Sequence, residues 1–241
     1  MWRITAFFKR RPELDRTEAL TRWQRDHFDP TAAALRETGA VRAIANLPFD
    51  PPAPGLADIF DAVAEYWFDD LDLARVALAR LSDGMPSPEV WADIAASDTP
   101  APWLGEVRPV LDAGTLGVKV IRAGRPARGV DATEALAYWR DHHPVVAQTA
   151  PNFWALLRRY TQVPAVDPDS PAAYPLQADV GAASVEDMQA AFAHPEYFSI
   201  VQPDERKFSL AGKLVSERLA FAAAREIVAY DDSGRPQPKA A

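Results

Sequence analysis

The sequence has no cysteine among its 241 residues, which excludes disulfide bonds, thiolate nucleophiles and cysteine metal ligands. Glycine is scarce as well: there are 11 glycines, and the segment 124–129 matches neither common phosphate-binding fingerprint. No stretch approaches the about 20 consecutive apolar residues that a membrane-spanning helix requires. We therefore expect neither a phosphate-binding loop nor a membrane segment.

The charge pattern argues against a nucleic-acid partner. The formal net charge is -8, and the basic residues are scattered rather than gathered into a stripe that could follow a phosphate backbone. Residues 1–11 are interrupted by four basic side chains and contain no apolar core of a signal peptide. We expect a cytoplasmic protein with no nucleic-acid or membrane partner.

The histidines do not form a metal-binding pattern. There are four, at His27, His142, His143 and His194. No two of them are four residues apart, and no carboxylate triad surrounds them, so we expect no metal. Serine and threonine are scarce near them, which gives a hydrolase triad little support.

A segment near the start of the chain returns 116 positions later. Residues 15–46 and 131–162 align without gaps and are identical at nine positions, namely Asp15/Asp131, Thr17/Thr133, Glu18/Glu134, Ala19/Ala135, Leu20/Leu136, Trp23/Trp139, His27/His143, Ala34/Ala150 and Arg42/Arg158. Self-similarity at a long fixed distance indicates a structural unit used twice. The sequence predicts a tandem duplication, with repeats over residues 1–113 and 114–230 and a flexible tail over 231–241.

Each repeat has the same predicted element order, βαββαβ. The strand candidates are residues 3–9, 41–47, 60–68 and 106–111, and then 117–122, 157–163, 174–182 and part of 219–230. The second helices are predicted at 71–81 and 185–193, and each leads to a Pro-Glu-aromatic turn, at 88–91 and 195–198. This order is the ferredoxin-like motif, whose sheet has helices on one face only. Two such sheets can cover each other, so we expect an α+β fold in which two ferredoxin-like repeats pack sheet to sheet as an intramolecular pseudo-dimer.

The first helix of each repeat has a clear start. Asp15 and Asp131 stand at the N-cap, and each is followed three residues later by a glutamate, as in a capping box. The apolar stripe then continues to a histidine at helical spacing, through Leu20, Trp23 and His27 and through Leu136, Trp139 and His143. Both imidazoles are predicted to face inward.

These residues resemble those of a known family. The carrying segments are residues 7–10, Trp23 to His27, 42–46, 61–68, 139–144, 160–162, 194–198 and 204–208. With them the chain resembles the EthD family of the dimeric α+β barrel superfamily, as two copies covering nearly its whole length. The resemblance implies an intramolecular dimeric α+β barrel with an apolar pocket between sheet and helices.

His27 and His143 are the candidate catalytic residues, with Tyr160 beside the second. A histidine of near-neutral pKa can take up or return a proton, which typically accelerates a reaction about 10²- to 10⁴-fold. The competing interpretation is structural: each histidine interacts with carbonyl groups at the end of its helix. Trp23 and Trp139 are candidates for substrate contact or core packing, and Asn46 and Gln162 for polarising a substrate carbonyl or completing a strand end.

The two halves are not equal. The first has Tyr66, Trp67 and Phe68 on its third strand, whereas the second has Val180, Gly181 and Ala182 there, with His142 and Tyr160 nearby. Small residues leave space. We therefore expect a wide pocket beside His143 and a filled one beside His27, with Trp67 and His142 as further candidates for substrate contact. Neutral drift after duplication is the alternative.

The predicted function is a cofactor-independent enzyme in which a buried histidine transfers a proton on an apolar, oxygenated, aromatic or polyketide-like small molecule. Elimination, decarboxylation and isomerisation all need such a step. The alternatives are a cofactor-free monooxygenase and a non-catalytic EthD-like binding or accessory protein. Whether the pseudo-dimeric chain forms a homodimer is left open.

Overall fold

The computed structural model describes residues 1–49, 60–127, 129–170, 174–209 and 218–233. The strands are β1 (Trp2–Phe8), β2 (Ala40–Pro48), β3 (Ala62–Phe68), β4 (Trp103–Glu106), β5 (Arg108–Asp112), β6 (Val118–Gly124), β7 (Leu157–Pro164), β8 (Leu176–Ala182) and β9 (Arg218–Asp231). The helices are α1 (Arg16–Arg22), α2 (Asp29–Glu37), α3 (Leu71–Ser82), α4 (Pro88–Ile94), α5 (Ala132–Asp141), α6 (His143–Gln148), α7 (Pro151–Ala155), α8 (Val185–Ala193) and α9 (Gln202–Phe208), with π-helical turns at Trp23–Phe28 and Tyr197–Val201. In these ranges, no helix has both the length and the apolar character needed to cross a bilayer.

The nine strands of the described part form one antiparallel sheet in the order β4-β1-β3-β2-β9-β6-β8-β7-β5. Its two end strands, β4 and β5, are consecutive in the chain and are separated only by Val107. β4 pairs with β1 while β5 pairs with β7, and Gly105 forms a further bridge to Ala165 near β7. The sheet therefore closes on itself, and the predicted intramolecular α+β barrel is confirmed.

The same pairing scheme occurs in both halves. β3 pairs with β1 and β2, and β8 pairs with β6 and β7 in the same way. β4 pairs with β1 of the first half, and β5 pairs with β7 of the second half. The long strand β9 also joins the two halves, because it pairs with β2 and with β6. Each half thus extends a strand across the boundary into the wall of the other. A duplication at residue 113/114 remains the interpretation of the sequence repeat.

Helices cover the outside of the barrel. Asp15 and Asp131 cap α1 and α5 as predicted, because each carboxylate accepts hydrogen bonds from the backbone N–H groups two and three residues later. The predicted second helices correspond to α3 and α8. The predicted strand at 106–111 is interrupted at Val107 and becomes β4 and β5. The fourth strand of the second half is β9, and the predicted tail lies outside the described residues from 234 onward.

The barrel interior has an apolar end and a charged end. Side chains alternate between the two faces of each strand, so every second residue points inward. The apolar end includes Phe7 stacked on Trp103 at 5.4 Å between ring centroids, together with Phe221. At the other end, Arg3 and Lys119 meet the carboxylates of Glu65, Asp179 and Glu226, and Arg3 and Lys119 are almost completely buried.

Candidate functional site

A cavity of about 80 Å³ lies between the outer face of the sheet and the helices of the second half, and it is partly open on one side. Its walls come from β6, β7 and β8 on the sheet side and from α5, α6 and α9 on the helix side, through Arg122, Ala123, Gly124, Trp139, His143, Tyr160, Leu176, Ala178, Val180, Glu205, Phe208 and Ser209. The mixture is mostly apolar with a few convergent polar groups, which is typical of small-molecule sites.

His143 is held by a buried carboxylate. It begins α6, and its Nδ1 lies 2.8 Å from Oδ2 of Asp204 on α9. Both side chains are more than nine-tenths buried. Asp204 Oδ1 also accepts hydrogen bonds from the hydroxyl of Tyr138 at 2.7 Å and from the Lys207 ammonium at 3.0 Å. The carboxylate is therefore fully partnered.

The charge of Asp204 fixes the tautomer of His143. Burial alone would raise the pKa of Asp204, but the hydrogen bonds from His143, Tyr138 and Lys207 lower it to about 2. The carboxylate is ionised at neutral pH and can only accept, so His143 Nδ1 carries the proton. In the neutral imidazole the lone pair is then on Nε2, and the ring lines the cavity. Such an imidazole can act as a base.

A guanidinium also faces the cavity. Arg122 on β6 lies 3.4 Å from a carboxylate oxygen of Glu205 and 5.3 Å from the ring centre of Phe192. Glu205 accepts a hydrogen bond from the hydroxyl of Tyr197 at 3.1 Å. The positive charge of Arg122 is therefore held in place by a carboxylate and an aromatic ring. A guanidinium at such a position can stabilise a developing oxyanion.

Tyr160, Gln162 and Trp139 complete the wall. Gln162 Nε2 donates to the Trp139 carbonyl at 2.8 Å and to the Tyr160 hydroxyl at 3.3 Å. Burial raises the pKa of Tyr160 well above its ordinary value, so its phenol stays neutral. Tyr160 is suited to donating a hydrogen bond rather than to acting as a base. Gln162 orients Tyr160 and does not itself line the cavity.

The first half lacks the charged partners of His143. In the first half, Arg11 N donates to Ile94 O at the end of α4. In the second half, Ala127 N donates to Phe208 O at the end of α9 in the same way, so α4 and α9 occupy equivalent places. The predicted match of residues 88–91 with residues 195–198 is therefore wrong. The residues of α4 correspond to those of α9, which lie 114 positions later in the chain. At this offset, the counterparts of Asp204 and Glu205 are Val90 and Trp91. On β1, Ala6 has the position of Arg122, because Ala6 pairs with Ala64 as Arg122 pairs with Ala178.

His27 is buried without a carboxylate partner. The ring lies 4.5 Å from the Trp91 ring, and Nδ1 has no hydrogen-bond partner within the described ranges. Burial lowers the pKa of His27 to about 4. The two histidines are both inward-facing, as predicted, but their surroundings are chemically different.

The predicted difference in pocket size is reversed. Ala178 and Val180 do line the His143 cavity, and Tyr66 occupies the position of Val180 in the first half, where it packs against Phe28. However, Tyr160 and Phe208 narrow the cavity beside His143, and its volume is about 80 Å³. A separate groove of about 270 Å³ lies beside His27, between the end of α3, α4 and residues 99–102.

Asn46 and Gln162 are not equivalent, which corrects the sequence alignment. Asn46 pairs with Val63 and points into the barrel, where it donates to Glu65 at 3.0 Å. Gln162 pairs with Ala178 and points outward to the helices. One additional residue precedes β7, and a one-residue shift turns a strand's side chains to the opposite face.

Three other predicted contacts lie away from the cavity. Trp23 stacks on Phe8 and Phe28 in the core. Trp67 points into the barrel mouth, where its Nε1 donates to Glu65 at 3.2 Å. His142 is exposed and its ring packs on Tyr138, because α5 ends at Asp141 and the chain turns before α6 begins. None of the three side chains lines the His143 cavity.

Asp204, Arg122 and Glu205 are the functional candidates that the sequence prediction missed. Asp204 and Glu205 belong to segment 204–208, which supported the EthD resemblance, so one signal was present. The contact between Asp204 and His143 spans 61 residues, however, and no local pattern predicts it. Arg122 was assigned only to a strand.

Comparisons with known proteins agree with this architecture. An anthrone oxidase-like protein superposes with a TM-score of 0.60 and 11% identity, covering 98% of this chain and 96% of that one. A "Putative monooxygenase" from Fusobacterium nucleatum gives 0.53 at 8% identity, with 93% of each chain covered. A mutant chlorite dismutase from Candidatus Nitrospira defluvii gives 0.50 at 10% identity, covering 92% and 90%.

These likenesses concern the fold. None of the curated proteins compared with the chain matches it. The model of the EthD domain matches residues 127–210, a stretch that contains His143, Tyr160 and Asp204. The predicted EthD resemblance is thereby confirmed over residues 127–210.

Proposed function

We propose that the second half is a cofactor-independent proton-transfer site for a small, apolar, oxygenated carbon acid, with His143 as the base. The observation that carries the proposal is the hydrogen bond between His143 Nδ1 and ionised Asp204, in an imidazole that lines the same cavity as Arg122. In the first half, Val90 and Ala6 stand at the positions of Asp204 and Arg122.

The chemistry is an enolisation. His143 Nε2 takes a proton from the carbon next to a carbonyl group, and the electron pair of the broken C–H bond moves to the carbonyl oxygen. Arg122 and the neutral hydroxyl of Tyr160 stabilise the resulting oxyanion. If the proton returns to a different atom of the substrate, the result is an isomerisation. If a hydroxide on the neighbouring carbon leaves and combines with that proton to form water, the result is a dehydration.

Some members of the superfamily that the chain resembles bind haem through a histidine, but a haem group does not fit this cavity. The cavity beside His143 has a volume of about 80 Å³, which is far below even the roughly 300 Å³ at the lower end of ordinary ligand pockets and too small to hold a porphyrin. The reacting edge of a smaller molecule can enter through the open side while the remainder stays at the mouth.

Deuterium exchange tests the proton transfer without knowledge of the natural substrate. 2-Indanone is a small aromatic ketone with activated methylene protons, and ¹H NMR in D₂O reports their loss. We expect saturable exchange by the protein and a loss of about 10²-fold or more in His143→Ala. His142→Ala, which changes the exposed neighbour, is the matched control and should keep the rate within about twofold. Equal rates for His143→Ala and the unaltered protein would refute the proposal.

An oxygenase is the second candidate, because one structural neighbour is named as anthrone oxidase-like. The same base would convert anthrone to its anion, which reacts with O₂ and takes back the proton from the protonated base to give anthraquinone and water. Exchange at the anthrone methylene under argon, compared with quinone formation in air, separates the two reactions. Consumption of O₂ in proportion to quinone, dependent on His143, would favour the oxygenase.

The non-catalytic carrier is the third candidate. It predicts tight binding of an apolar ligand with no exchange above the uncatalysed rate for either ketone. It is the weaker proposal, because binding alone needs no Asp204 to fix the histidine tautomer.

A further inference from the structure

The groove beside His27 is a separate feature of the molecule. It has a volume of about 270 Å³, and its lining comes from β1, the π-helical turn, the end of α3, α4 and the segment before β4, through Ala6, Phe7, His27, Leu81, Ser82, Gly84, Met85, Trp91, Thr99, Pro100, Ala101 and Pro102. This size approaches the lower end of ordinary ligand pockets, roughly 300 Å³. A molecule of one or two rings fits such a volume.

The groove differs from the His143 cavity in charge. None of the described residues that line it is charged, whereas Arg122 and Glu205 line the other. A charged ligand would lose its hydration at the His27 groove without gaining an ionic partner. The groove therefore favours a neutral molecule.

His27 supplies the polar contact. Its side chain is more than nine-tenths buried, and Nδ1 has no hydrogen-bond partner among the residues described. Burial lowers its pKa to about 4, so at neutral pH the ring carries one N–H and one free lone pair. Nδ1 has almost no accessible surface, so a hydroxyl group of a ligand in the groove would meet Nε2, the other ring nitrogen, and donate to its lone pair.

We propose that the first half contains a second, non-catalytic binding site, in which the groove beside His27 takes a neutral aromatic molecule with a hydroxyl group. The ring of the ligand packs between Trp91, Met85 and Pro102, and its hydroxyl donates to the imidazole of His27. The ligand is bound and released unchanged, because Val90 and Trp91 stand where the second half has Asp204 and Glu205.

A matched pair of probes tests the site on the full chain. 4-Methylphenol and toluene differ by the hydroxyl group, and the indole signal of Trp91 in a ¹⁵N-tryptophan spectrum, assigned with Trp91→Phe, reports binding. We expect saturable shifts, with 4-methylphenol binding about five- to tenfold more tightly than toluene, as one net hydrogen bond would give. In His27→Phe, which keeps an aromatic ring without its nitrogens, the two probes should bind equally.

Two further variants locate the effect. Ala101→Trp, on an exposed position of the groove, should weaken both probes together. His143→Phe should leave both affinities at Trp91 unchanged. Absence of a saturable shift at Trp91, or a preference for 4-methylphenol that survives in His27→Phe, would overturn the proposal. Because the readout is binding and not turnover, its outcome is independent of the proton-transfer test at His143.

Discussion

Arg3 Nη2 donates to Asp179 Oδ1 at 3.0 Å, and these two residues belong to opposite halves of the chain. Lys119 and Glu65 correspond in position to Arg3 and Asp179, but here the second half supplies the cation and the first half the carboxylate. Lys119 Nζ donates to Glu65 Oε1 at 2.8 Å. The barrel interior therefore contains two buried ion pairs that cross between the halves. Closure of the barrel brings these charges together.

Asp179→Ala should destabilise the protein by about 3–5 kcal/mol, because it leaves the completely buried Arg3 guanidinium without its closest partner. Urea unfolding measures the change. The matched control is Asp232→Ala, which removes a two-bond ion pair with Arg36 on the surface and should cost less than about 1 kcal/mol. Similar losses for the two variants would contradict a special role for the interior pairs.

Asp204→Asn should lower the exchange of 2-indanone by about 10²- to 10⁴-fold, because an amide no longer holds the His143 tautomer that presents Nε2 as a base. The circular dichroism spectrum should remain unchanged. Tyr138→Phe removes only one of the hydrogen bonds to Asp204 and should have a much smaller effect. A rate for Asp204→Asn equal to that of the unaltered protein would rule out the dyad.

Arg122→Ala should reduce the turnover number of exchange by about 10²- to 10³-fold, since it removes the positive charge that faces the developing oxyanion. Arg122→Lys should recover part of this loss because it restores the charge. Arg140→Ala, an arginine paired with Asp141 outside the cavity, serves as the control. If Arg122→Ala changes only the KM, then Arg122 binds the substrate without stabilising the oxyanion.

His27 should make stability depend on pH. Its folded pKa of about 4 lies below its ordinary value of 6.5, so the unfolded chain takes up a proton first as the pH falls. The stability that His27 contributes at pH 7 is therefore lost between about pH 6.5 and 4, by roughly 3 kcal/mol. The measurement is the difference between the unfolding free energies of the unaltered protein and His27→Phe over this range. A difference that does not vary with pH would contradict the assignment.

The order of strands and helices follows from local patterns in the sequence. The caps at Asp15 and Asp131 and the helix α8 lie where the sequence predicts them, because hydrogen bonding and periodicity within a few residues determine them. The packing of the two halves against each other is predicted by the bare face of a ferredoxin-like sheet, and closure into a barrel is implied by the EthD resemblance. Local patterns could not predict that β4 and β5, which share one chain segment, pair with different halves.

The site was predicted less completely. The inward position of His143 follows from helical spacing, but Asp204 lies 61 residues further along and meets it only through tertiary packing. The pairing of Asn46 with Gln162 failed because one residue inserted before β7 changes the face that each side chain occupies. Pocket volumes depend on how Tyr160 and Phe208 pack, and small residues on one strand do not determine them.

The position of β9 also sets an order of events during synthesis. The first half is translated with β1, β3 and β4 able to pair, while the outer edge of β2 has to wait for residues 218–231 near the end of the chain. An unpaired strand edge can associate with other chains. The ribosome must therefore deliver residues 218–231 before that edge is protected, so nascent chains halted before residue 218 should be prone to aggregation.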